Sequence, residues 1–110
     1  MDIEFQKKWE ELNEKMVSRF GERLDVQAML FIIGLQELGK KVDKLTKDQK
    51  LEVMHVAVCT LLEPYGYYEY DGRDKDDWPH WIANKKLPNL NTVEQEQLMK
   101  QSIIEYFNYT

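Results

Sequence analysis

Apolar positions along the chain fall into four helical stripes separated by breaks at glycine and proline. The densest run is Val26 to Leu38, VQAMLFIIGLQEL. Wound as a helix, it is apolar on every side, with Val26, Met29, Leu30 and Ile33 on one face. Ala28, Phe31, Ile32, Leu35 and Leu38 cover the others, and the polar positions are Gln27, Gln36 and Glu37. Such a helix must be covered by its neighbours. It is shorter than the about 20 apolar residues that span a bilayer, so the pattern predicts a central core helix. Asp25 is placed to cap its start, and Gly39 to end it. Gly34 sits mid-helix at a propensity cost of about 1 kcal/mol relative to Ala, which predicts close approach of another helix there.

Before this core helix, Phe5, Trp9, Leu12, Met16 and Phe20 form one stripe of a helix over about 2–20, closed by Gly21. After it, Lys40 to Lys50 is a basic connection with five lysines against two aspartates. Thr46 and Gln49 form a capping box for a third helix ending near Leu62 or Tyr65. Its main stripe is Leu51, Met54, Val58, Leu61 and Leu62. Val53, Val56 and Thr60 project from nearly the opposite side, where a surface helix carries charge. Either a later segment covers this face or it is an interaction surface. Near the end, Thr92 and Gln95 repeat the capping pattern for a last helix to about Asn108. Its inward stripe is Met99, Ile103, Tyr106 and Phe107, with Leu98 and Ile104 off that stripe.

Between the third and last helices the periodicity changes. Pro64 and Gly66 break the helix, Tyr67, Tyr68 and Tyr70 favour strand, and Asp71 to Asp77 is rich in turn formers. Trp78, Trp81 and Ile82 fall on the return, with Pro79 confining it to an edge. The fold reading is one mainly α domain over 1–110, four-helix bundle-like, with a β-hairpin or ordered loop at 67–84. A two-stranded hairpin is marginal alone, so it should lie on the helices, over Val53 and Val56.

Composition adds constraints. The 110 residues are 43% hydrophobic and 32% charged, enough for a core with a solvated exterior. Net charge is −5, which argues against general nucleic-acid binding and against an anionic membrane surface as partner. The single cysteine, Cys59, forms no intrachain disulfide, and the charged stretch MDIEFQKKWEEL has no apolar signal core. A cytoplasmic location is expected.

Candidate chemistry is sparse. His55 and Cys59 stand four apart on a helix and can reach one metal ion, yet zinc takes three or four protein ligands. A buried thiol beside a hydrogen-bonded histidine is the commoner outcome. His80 is a conceivable acid or base. A calcium loop starting at Asp71 would need ligands where Arg73 and Lys75 stand, so that pattern fails. No phosphate loop or nucleophile motif appears, and no cofactor is expected.

The run from Gly34 to Trp81, extended through Leu87 to Phe107, resembles short cytoplasmic proteins of unknown function from Bacteroidetes bacteria. The resemblance implies a bacterial cytoplasmic protein and brings no activity or functional residue with it.

These observations lead to a small non-catalytic protein-binding module or assembly subunit. Partner contact is expected through Val53, Val56, Tyr68, Tyr70, Trp78 and Trp81. Self-association is a related expectation, because the basic 40–50 turn and the acidic 69–77 loop have opposite charge. The alternative is a small enzyme or metal protein using His55 and Cys59 or His80.

Overall fold

The computed structural model describes residues 3–39, 44–84 and 88–108. Helix α1 spans Ile3–Phe20, α2 Val26–Leu38 and α3 Lys47–Leu62. A single 3-10 turn, Glu63–Tyr65, leads into strands β1, Tyr68–Arg73, and β2, Pro79–Ala83, and α4 spans Thr92–Asn108. The protein is mainly helical, with a two-stranded antiparallel hairpin between α3 and α4. Among the described residues, no helix is long and apolar enough to cross a membrane.

The helix ends follow local chemistry. Ala28 N donates to Asp25 Oδ1 at 2.8 Å, capping α2. Gln49 N donates to Thr46 Oγ1 and Thr46 N to Gln49 Oε1, closing the box at α3. Gly39 ends α2 in the left-handed region at φ 70°. The expected cap at Thr92 and Gln95 is displaced by one residue. Asn91 Oδ1 accepts from Glu94 N at 2.8 Å and Glu94 Oε1 accepts from Asn91 N at 3.1 Å. Asn is at least as good an N-cap as Thr, and Glu at the third position brings a charged acceptor to the helix start. Gln95 turns back to the Leu90 carbonyl instead.

α2 and α3 form the closest helix pair, and α4 packs on α1, α2 and α3. Phe5, Trp9, Leu12 and Met16 of α1 meet Met29, Leu30 and Ile33 of α2, Ala57 and Leu61 of α3, and Ile103 and Ile104 of α4 in one core. Along α2 the exposed positions are Gln27 and Gln36, so the segment is covered on its apolar sides to the extent its periodicity requires.

Gly34 is where α2 and α3 touch. A Cβ built there would overlap the Val53 carbonyl oxygen and stand 2.7 Å from Val53 Cγ1. This contact sets the rotation of α3 and decides between the two readings of its second apolar face. Val53 and Val56 are buried, which removes them from the expected partner surface: Val53 lies against Gly34 rather than under the hairpin, and Val56 lines a cleft with Trp78, Pro79 and Trp81 of the hairpin. Leu51, expected in the core stripe, is 59% exposed. It lies about 160° around the helix from Val53, at the end of α3 where burial is confined to the Val53 side. Further along, Cys59, Leu61 and Leu62 are buried on all sides.

Phe20 also departs from its stripe and is 46% exposed. At 3.6 residues per turn its position has drifted about 60° from that of Phe5. Ile104, expected off the inward stripe of α4, is part of the core. The basic connection falls partly outside the described residues, which resume at Lys44.

The Gly34 contact yields a test with an unusual sign. On a free helix face Gly→Ala stabilises by about 1 kcal/mol. Here Gly34→Ala drives a methyl into the α3 backbone, and overpacking of this kind costs about 1–3 kcal/mol. Thermal unfolding of Gly34→Ala is expected to show a Tm lower by about 5–10 °C; a raised Tm would contradict the close approach.

Candidate functional site

The hairpin is seated on α3 by its own approach. Gly66 N donates to Glu63 O at 2.9 Å and Tyr67 N to Leu62 O at 3.3 Å, turning the chain sharply off the end of α3. Tyr65 Oη donates to Glu105 Oε2 at 2.9 Å, tying this turn to α4. Burial, and then the Glu105 acceptor, push the Tyr65 hydroxyl up to about 12. Tyr106 is raised by the same two causes, with its hydroxyl 2.7 Å from Glu37 Oε2.

In the hairpin, Tyr68 pairs with Ala83, Glu69 with Ile82 and Tyr70 with Trp81. The register then slips: Gly72 pairs with His80 and Arg73 with Pro79, leaving Asp71 as a bulge. Gly72 supports this bulge at φ 93°, a backbone conformation that side chains disfavour. The extra residue reverses the alternation beyond it. Without it, Arg73 would point to the opposite face from Tyr70. With it, Arg73 joins Tyr70, Pro79 and Trp81 on the face toward the helices.

Arg73 uses that orientation to close the end of α2. Its Nη1 donates to Leu38 O at 3.0 Å and its Nη2 to Glu37 O at 3.1 Å. Nη1 also donates to Asp77 O at 2.9 Å and lies 3.5 Å from the Asp77 carboxylate. A guanidinium here meets carbonyls that helix geometry leaves open and the negative end of the helix dipole.

Asp74 organises the turn. Its Oδ1 accepts from Asp76 N at 2.8 Å and Trp78 N at 3.1 Å, and its Oδ2 lies 2.7 Å from His80 Nε2. The His80 contact, followed by these backbone donors, holds the carboxyl well below its ordinary range, at about 2. The ion pairs seen in the acidic loop, Arg73–Asp77 and Asp74–His80, are therefore internal to the hairpin.

The aromatic residues expected to form a partner surface divide unevenly. Tyr68 is half-buried, edge-on to the His55 ring at 6.2 Å. Trp78 is half-buried just before β2. Tyr70 is 49% exposed and meets Trp81 at 5.4 Å between ring centroids. Tyr70 and Trp81, with Glu37, Glu63, Arg73 and Pro79, line an open cleft of about 410 Å³ between the hairpin and the helices. A second cleft, of about 540 Å³, lies on the far side of Trp81 and includes His55, His80, Glu52 and Asp74.

The metal and nucleophile candidates come together only in part. Cys59 Sγ lies 3.4 Å from His55 Nε2. The thiol is fully buried, and burial pushes it up to about 11, which keeps it protonated at neutral pH. Among the described residues no three His, Cys, Asp or Glu side chains are grouped to hold a metal ion.

Arg73, Glu37, Glu63 and Asp74 were missed by sequence reasoning. The bulge had a signal in Asp71-Gly72, and the Asx turn had one in Asp74. The reach of Arg73 to α2, across 35 positions, had none.

Two measurements probe the hairpin. Removing the guanidinium while keeping an unbranched stem, Arg73→Met, is expected to cost about 1–2 kcal/mol, with loss of hydrogen-exchange protection in the hairpin ahead of the α2–α3 core. The depressed Asp74 carboxyl stabilises the fold above its ordinary 3.8, and that contribution is lost as pH falls from there through about 2. Acid titration of the Trp78 amide signal should show a transition in this window that Asp74→Asn abolishes; an unchanged transition in the variant would refute the assignment. Compared with known proteins, the chain matches no family model, no curated protein and no solved structure.

Proposed function

We propose that the chain is a small non-catalytic protein-binding module whose recognition surface is the open cleft at Tyr70 and Trp81. The observation that carries this reading is an aromatic wall left half-open beside a hairpin pinned to the helices by Arg73. Aromatic side chains on a rigid support contribute most of the binding energy at many protein interfaces. A cleft of about 410 Å³ accepts a side chain or a short extended segment rather than a flat surface. Of the residues expected to touch a partner, Tyr70 and Trp81 keep that role. Tyr68 packs on His55 of α3, and Trp78 is half-buried before β2. Val53 and Val56 belong to the packing beneath.

The catalytic alternative has less behind it. The buried, protonated Cys59 thiol is a poor nucleophile and ligand. His80 is engaged by a carboxylate that also closes the turn, a structural use of the pair.

Affinity capture from the native host tests the reading with two exposed-residue variants. Tyr70→Ala removes a wall of the cleft; Ile82→Ser changes the opposite face of the hairpin, where Ile82 pairs with Glu69. Loss of a hot-spot aromatic costs about 2 kcal/mol or more, or about thirtyfold in affinity. Partners recovered with the wild-type chain are expected to be lost with Tyr70→Ala and kept with Ile82→Ser. Equal recovery by both variants would overturn the proposal.

A further inference from the structure

We infer that the Tyr70–Trp81 cleft takes a basic side chain, lysine or arginine, from an extended segment of a protein partner. The inference rests on the protein-binding reading and specifies what that surface reads.

The two aromatic rings stand 5.4 Å apart between centroids and are inclined by 63°, an edge contact that makes them one continuous wall of a notch. Aromatic faces attract a cation through their quadrupole, most strongly when the ring is tryptophan. Two carboxylates flank the notch, Glu37 from α2 and Glu63 from the turn after α3. The donors they accept are neutral: Tyr106 Oη on Glu37 at 2.7 Å, and Trp81 Nε1 on Glu63 at 3.4 Å. The ion pairs among the described residues involve neither glutamate. Among the described residues, neither carboxylate beside this aromatic wall is therefore paired with a cation.

Arg73 also lines the cleft, and its charge would oppose a second cation. Its guanidinium is already turned into the α2 carbonyls and beside Asp77. Helix end and carboxylate together offset it, leaving the cleft with excess negative charge. The half-buried Trp81 ring offers apolar surface to the methylene stem of a long cationic side chain. An acidic side chain would face two carboxylates, and an aliphatic one would leave them unanswered. The net charge of −5 adds a long-range pull in the same direction.

The test uses the full chain, labelled for NMR, and capped peptides Gly-Ser-X-Ser-Gly in which X is Lys, Arg, norleucine or Glu. The readout is the indole N–H signal of Trp81. The Lys or Arg peptide is expected to shift it saturably within about 10 mM, while the norleucine and Glu peptides leave it in place. Glu63→Gln, which keeps an acceptor for the indole, is expected to weaken binding by about fivefold, and added salt to weaken it further. Saturation by norleucine equal to that by lysine would overturn the charge reading while leaving the cleft a binding surface. No saturable shift with any peptide, or a shift indifferent to both Glu63→Gln and Tyr70→Ala, would overturn the inference outright. The protein-binding reading itself is decided separately, by the capture experiment with Tyr70→Ala.

Discussion

The contact between Gly34 and Val53 governs the arrangement of this protein. α2 is apolar on nearly every side and has to be covered. The missing side chain at Gly34 lets the α3 backbone come within contact distance, closer than any Cβ would permit. That approach sets which way α3 faces. With Val53 turned to α2, Val56 and Ala57 are enclosed and Leu51 is carried outward. The end of α3, and so the start of the hairpin, is placed by the same rotation. Part of the propensity cost of a mid-helix glycine is offset by the area this approach removes from water.

The hairpin depends on this pair of helices more than on itself. Two strands alone are marginal in water. Here a single-residue bulge turns Arg73 inward, and Arg73 ends on the carbonyls of the core helix. The helix gains a capped C-terminus; the hairpin gains an anchor at its far end. Tyr65 on Glu105 and the turn off α3 hold the near end. Fixed at both ends, the hairpin stands off the helices enough to leave a cleft on each side of Trp81.

Charge is distributed so that these roles do not interfere. At the hairpin tip Arg73 pairs with Asp77, and His80 with Asp74. Glu37 and Glu63, which enter none of the ion pairs seen among the described residues, lie at the aromatic cleft. Polar groups used in pairs to build the hairpin are thus separate from the two glutamates that line the cleft. The Cys59 and His55 pair, conspicuous as a spacing, belongs to the first kind: a buried thiol beside a ring that packs on Tyr68.

Features decided within a turn or two of chain were legible in the sequence alone. The core segment 26–38, the Asp25 and Thr46 caps, the closing Gly39, the close approach at Gly34 and the hairpin after Pro64 all follow from neighbours a few residues apart. Even locally, two adjacent capping boxes competed near the last helix, and the stronger pair, Asn91 and Glu94, displaced Thr92 and Gln95. What only tertiary structure decided was which side of each helix became inside. Periodicity assigns apolar residues to faces, but α3 carries apolar residues on two faces, and packing buries both further along while at its start only the Val53 side is buried. For that reason Val53 and Val56 lie within and Leu51 without. The meeting of Arg73 with the end of α2 is of the same kind: a bond between groups 35 positions apart exists only once a bulge and a helix contact have fixed both ends in space.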